Sequence, residues 1–327
     1  MKSIVSLEVG SDAIRAAEIA GPLSKNPRVL NLGEIAIPPG VATESILNDR
    51  EAFMEKLKEL WEQEKFKTKN VAITVSGRRF LIREHETGYN NLKDLKAVLP
   101  MDAAGVVPEG MHEPVLDFYP THHIDTKDGA RTAGLVIATP AEYIETLVYA
   151  TADAGFNVEF VDFAPMAIAR FIRNHIDPNI SYVLANIREE STDIVVTKDG
   201  IPRLVRATPN GLEPIKKQIG RAQTDISSIQ AYNESFAQDS PMAKLAREIR
   251  VTTMSFYEEM NMDGPNRLFL TGPRSSDSEL IRTLEDILKV DVNPLHVNIE
   301  VPKDKELDDE MSASDFVAIC GGMRGKK

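Results

Sequence analysis

Apolar residues dominate two short runs at the start of the chain, Ser3–Val9 and Ala13–Ile19, separated by Gly10-Ser11-Asp12. Such runs on either side of a glycine-containing turn predict a β-hairpin, its tip carrying a carboxylate and a bare stretch of backbone. A third run, Arg28–Ile37, stops at Pro38-Pro39-Gly40. The period then changes. From about Asp49 to Lys65 the residues Phe53, Leu57, Leu60 and Trp61 fall on one face, which predicts a helix. Val71–Val75 and Phe80–Glu86 read as strands on either side of the turn Ser76-Gly77-Arg78.

Residues 88–131 have a different texture, with Pro100, Pro108, Pro114 and Pro120. Val115–Tyr119 predicts a strand paired with Ala133–Ala138 across the turn Lys127-Asp128-Gly129. Residues 70–138 together read as a small inserted α+β module. A helix is expected to begin at Thr139-Pro140, with Thr139 as its cap and Pro140 at its first position. Tyr143, Leu147 and Ala150 continue it, and Gly155 ends it. Val158–Phe163 is a predicted strand and Pro165–Asn174 a predicted helix, an alternation that implies a sheet covered by helices.

The second half repeats the opening. Tyr182–Ile187, Thr192–Thr197 and Ile201–Ala207 predict three strands, with Arg188-Glu189-Glu190 at the first tip and Asp199-Gly200 at the second. Helices are expected at about Gly211–Arg221, Asp225–Phe236 and Met242–Met260. Arg267–Thr271 is a strand running into Gly272-Pro273, followed by a helix at Ser278–Leu288 and a strand at Val290–Asn293. Pro302–Glu310 reads as a charged loop and Ser314–Met323 as a closing helix. Two halves that each begin with three antiparallel strands and a polar tip amount to an internal repeat.

A chain of 327 residues is longer than one core usually serves, so two or more lobes are expected. The net charge of −12 disfavours a nucleic-acid partner, which rewards clustered Lys and Arg. The single cysteine, Cys320, excludes a disulfide framework and a Cys-based zinc site. No apolar run approaches the roughly 20 residues that cross a bilayer. Glu8 and Asp12 interrupt the first run too early for a signal sequence. A cytoplasmic protein is therefore expected, one that reaches a membrane only through another protein.

Several segments, in order along nearly the whole chain, resemble one family. L-E-V-G-S-D-A-I-R-A-A-E-I, from Leu7, resembles L-[DE]-I-G-x-x-x-[LV]-K-x-V-E. V-D-F-A-P-M-A-I-A-R, from Val161, resembles V-D-x-x-P-x-A-x-x-R. A-N-I-R-E-E-S-T-D-I, from Ala185, resembles D-I-G-A-E-S-T-D-L, and L-T-G-P-R-S, from Leu270, resembles L-T-G-G-G-S. F-V-A-I-C-G-G-M-R-G, from Phe316, resembles A-x-A-x-G-L-A-L-R-G. The pattern is similar to that of PilM, the FtsA-like family of type IV pilus assembly. The resemblance implies an α/β chain with the actin-like ATPase (ribonuclease H-like) duplicated two-lobe fold and an inserted small α+β module. On that pattern the first lobe comprises residues 1–69, 139–180 and a C-terminal helix, 312–327. The module is 70–138, and the second lobe is 181–311 with a helical part at about 211–262.

The resemblance also implies a nucleotide cleft between the lobes, with ATP and Mg²⁺ as cofactors. Gly10 and Ser11 would hold phosphate through backbone N–H groups, because glycine lets the main chain approach an anion. Arg15 stands where the family often has Lys, and Glu8 would orient water around Mg²⁺. The second tip departs from the pattern. Asn186 replaces an acid and Arg188 a close-approach glycine, while Ser191, Thr192 and Asp193 remain. Arg188 would either bond phosphate directly or fill a seat that no longer binds. At the third contact, Gly272-Pro273-Arg274 stands where a glycine run meets the adenosine, and proline has no N–H to offer. Glu248 matches the acid that reaches the ribose. Two altered contacts out of three predict weak or absent nucleotide binding and at most a weak ATPase, with no catalytic residue.

For function, the resemblance implies an adaptor that binds the N-terminal cytoplasmic tail of a PilN-like inner-membrane protein. The expected groove involves residues near 70–87 and 140–165, at the cytoplasmic face of the inner membrane. Other pilus assembly components are expected partners, and self-association stays open. An active actin-like ATPase or kinase is the alternative, opposed by Asn186, Arg188 and Pro273. A type II secretion component of the same fold is a further alternative, disfavoured because that version is fused to a membrane helix. His122-His123 with Asp125 reads as a solvated loop rather than a metal site, and Asp308-Asp309-Glu310 as solvated charge.

Overall fold

A computed structural model describes residues 3–22, 27–43, 46–127, 129–217, 240–261, 263–265, 267–295 and 309–324. In chain order the elements begin with β1 (Ser3–Val9), β2 (Ala13–Ala20), β3 (Arg28–Ala36), α1 (Arg50–Glu64) and β4 (Asn70–Val75). Then come β5 (Leu81–Thr87), α2 (Leu92–Asp102), β6 (Pro114–Thr126), β7 (Gly129–Pro140), α3 (Ala141–Asp153), β8 (Asn157–Phe163) and α4 (Ala164–His175). The second half holds β9 (Val183–Ile187), β10 (Thr192–Lys198), β11 (Ile201–Thr208), α5 (Pro241–Glu259), β12 (Arg267–Thr271), α6 (Ser278–Leu288), β13 (Asp291–Pro294) and α7 (Asp309–Gly322).

The repeat seen in the sequence is a repeat of topology. One sheet runs β3-β2-β1-β4-β8 and another β11-β10-β9-β12-β13. In each, three strands form an antiparallel meander and two more add in parallel beside the first. Helices cover both faces, which is why the inner strands read as near-continuous apolar runs. On one face of the first sheet, Phe53, Leu57 and Leu60 of α1 join Tyr143 and Leu147 of α3. On the other, Ala318 and Ile319 of α7 meet Ala17, Ile19, Val29 and Leu32. Gly321 makes that approach possible, since a Cβ there would lie 1.9 Å from the Thr74 hydroxyl oxygen. Helix α4 packs against α7 and against β8, β10 and β11, so it links the two sheets.

A third sheet, β5-β7-β6, is backed by α2 through Leu95, Leu99, Phe118 and Val136. Several expectations change here. Asn70–Val75 does not belong with the segment that follows it, because β4 pairs in parallel with β1 and β8 inside the first sheet. Thr139 is not a helix cap. It stays in β7, opposite Val115, and α3 starts after Pro140 with no side-chain cap. Helix α2 was not read from the sequence. Its Pro100 falls in the last turn, where it forfeits the bond to the Lys96 carbonyl but leaves little helix beyond it to kink. His122 and His123 lie in β6 rather than in a loop, and the strand runs on through a register shift at Pro120. Asp309 and Glu310 open α7 instead of ending a loop. The helix expected at Asp225–Phe236 lies outside the described residues, as do 218–221, 296–308 and 325–327.

Candidate functional site

The two hairpin tips face each other across a crevice lined by residues of both lobes, among them Glu8, Gly10, Ser11, Arg15, Asn186, Arg188 and Gly272. At the first tip the Gly10 N–H donates to the Ala13 carbonyl at 2.9 Å, which closes the turn. Glu8 and Arg15 are cross-strand partners, so the acid faces the guanidinium. Arg15 is buried. Its Nη2 lies 2.9 Å from Asp12 Oδ2 and its Nε 2.8 Å from Glu34 Oε2. Burial opposes the Arg15 charge, but Glu8, Asp12 and Glu34 outweigh it and raise the pKa further above its usual value.

The second tip follows the same register with different chemistry. Asn186 faces Asp193 across the strands, and its Nδ2 donates to Asp193 Oδ2 at 3.3 Å. The Arg188 N–H donates to the Ser191 carbonyl at 2.9 Å. The guanidinium folds back over this turn, with Nη2 donating to Ser191 Oγ at 2.7 Å and to Asp193 Oδ1 at 3.2 Å. Thr192 points away and bonds the Asn210 carbonyl at 2.6 Å. Asn210 in turn donates to Glu248, so Glu248 sits on that line and not on the crevice wall. Gly272 adopts φ +95°, and a Cβ there would lie 2.2 Å from the Ile187 carbonyl oxygen.

Thr74, Ser76 and Glu189 also line the crevice. Thr74 is brought in by parallel pairing, since it lies opposite Glu8, and Ser76 follows at the end of β4. That pairing is long-range and has no local signal. Lys216 pairs with Glu189 and also pulls on Asp12 across the gap. The remaining space is about 20 Å³, enough for one or two waters. Asn186 Oδ1 and Ser76 Oγ, both on this wall, are buried without a hydrogen-bond partner among the described residues. No group of three or more His, Cys, Asp or Glu that could hold a metal occurs among the described residues.

Burial raises the Asp12 carboxyl, but the hydrogen bond and charge of Arg15 outweigh it and leave the pKa below 3.8. Asp277 is lowered in the same way by Arg274 and by backbone N–H groups of α6. A carboxylate lowered on folding stabilises the native state above its unfolded pKa. That contribution disappears as pH falls through the native value. The urea midpoint should therefore be lower at about pH 3 than at about pH 5, with Asp12→Asn showing a smaller drop than the parent chain.

Residues 6–222 match the family model described as type IV pilus assembly protein PilM. The chain belongs to that family. This makes it a protein of type IV pilus assembly. No curated protein sequence matches it significantly. Among solved structures it is similar to a PilM–PilN type IV pilus biogenesis complex, with a TM-score of 0.82 at 21% identity over 98% of this chain and 97% of that one. It is also similar to the ethanolamine utilization protein EutJ from Carboxydothermus hydrogenoformans, with a TM-score of 0.52 at 14% identity over 99% and 89% of the two chains. The doubled sheet order and these likenesses show the two-lobed actin-like ATPase fold. No described helix is long and apolar enough to cross a membrane.

Proposed function

We propose that this chain is an adaptor that grips the N-terminal cytoplasmic peptide of a PilN-like inner-membrane protein, and that its cleft has given up nucleotide. Recruitment to the inner membrane then comes through that partner. The pilus family supports the setting, and the solved PilM–PilN complex supports the choice of partner. The observation that carries the reading is Arg188 lying over its own hairpin on Asp193.

The residues present do not fit a Mg²⁺-nucleotide. Glu8 faces Arg15, and Asp193 is bonded by Arg188 and Asn186. The Gly10 N–H is spent on Ala13. About 20 Å³ takes water, not a triphosphate. In this reading Arg188 and Lys216 do permanently what a bound nucleotide would do transiently: Arg188 neutralises the acid of its own hairpin, and Lys216, paired with Glu189, adds positive charge facing Asp12.

The peptide groove lies beside the start of β6, where β6 and β7 meet α3. Phe80 stacks on Phe163 with ring centroids 4.5 Å apart and stands edge-on to Tyr143 at 6.3 Å. At the start of β6, Val115 is 42% exposed, a large apolar side chain in open water. Both β5 and β6 are edges of their sheet, and an extended peptide uses such an edge for main-chain bonds with apolar pockets for register. Calorimetry with a synthetic peptide of the PilN-like partner's cytoplasmic N-terminus tests this. Saturable binding is expected, with Val115→Asp weakening it at least about tenfold. Failure of the parent chain to bind the peptide, or micromolar affinity for an ATP analogue with Mg²⁺, overturns the reading.

A further inference from the structure

The second lobe has a pocket at the end of its sheet away from the hairpin tips. Val183 and Leu268, near the starts of β9 and β12, form its floor, and Ile249, Thr253 and Met254 of α5 form one wall. It encloses about 210 Å³. An engineered apolar cavity of about 150 Å³ accepts benzene, so this one has room for a single ring or a short acyl chain.

Two observations describe what it would hold. Arg250 and Lys289 also line the pocket, are exposed, and make no ion pair among the described residues. No acid lines it among the described residues. An apolar pocket edged by two cations favours an anion over a cation.

We propose that this pocket is a second binding site, for a carboxylate carried on a compact apolar body such as an aryl alkanoate. The apolar body lies between Val183, Leu268 and Ile249. Partial negative charge at the C-terminus of α6 disfavours a carboxylate beside Lys289. The head therefore sits by Arg250, one turn from Met254. An amine on the same body is repelled by the same two cations.

The test follows the ¹³C-methyl resonance of Met254 in the full chain, assigned with Met254→Leu, while 4-phenylbutyrate or 4-phenylbutylamine is added. The acid should shift that resonance saturably, and the amine should bind at least about tenfold more weakly. Arg250→Gln should weaken the acid by about tenfold, with a thermal midpoint near that of the parent. No saturable shift up to about 10 mM, equal affinity for acid and amine, or an unchanged affinity in Arg250→Gln would each overturn the assignment.

Discussion

Arg188→Ala should lower the unfolding free energy by about 3–5 kcal/mol, because it leaves a buried carboxylate without its counter-charge. Asp193 is 1% exposed and Arg188 8%, and their contact is 3.2 Å. Urea denaturation should show a lower midpoint with an unchanged slope. The double variant R188L/D193L should recover much of the loss, since two apolar side chains leave nothing charged to desolvate. A neutral Arg188→Ala would mean that the tip is not held by this pair, and the adaptor reading would lose its main support.

Phe316→Ala should cost a similar amount, about 3–5 kcal/mol, for a different reason. Phe316 is fully buried and edge-on to Phe171 of α4, with ring centroids 5.0 Å apart. The same cluster includes Tyr182 and Phe269 of the second sheet. Truncation would open a void at the junction of α4, α7 and both lobes. Native-state hydrogen exchange should report it as lost protection in α7 ahead of global unfolding. If α7 kept its protection, its attachment would rest on the small residues against β2 instead.

The parts of this fold legible from sequence are those whose signal is local. Strands buried on both faces announce themselves by apolar density, and the tips by glycine and small polar residues. Thr139-Pro140 shows the limit. The local chemistry is that of a helix start, but pairing with Pro114 and Val115 keeps the chain extended for two more residues. Asn70–Val75 was legible as a strand, yet its sheet was not, because its neighbours β1 and β8 are remote in sequence. The site divides in the same way. Most of the residues expected at the tips do line the crevice. Ser191, Thr192 and Glu248 do not, and the last two are tied to Asn210, whose position depends on the chain after β11. The contact of Arg188 with Asp193 joins two strands across the hairpin, and no local pattern announces it.

The order in which the chain is made adds a constraint. The hairpin of residues 3–20 has one face covered by α7, with Ala318 and Ile319 against Ala17 and Ile19. On a ribosome adding about 5–20 residues per second, that face waits roughly 15–60 s for its cover. The second lobe is complete before the first can close. A nascent chain of this protein therefore carries the hairpin of residues 3–20 half-dressed until α7 has emerged, and truncation ahead of Ala318 would leave that face open.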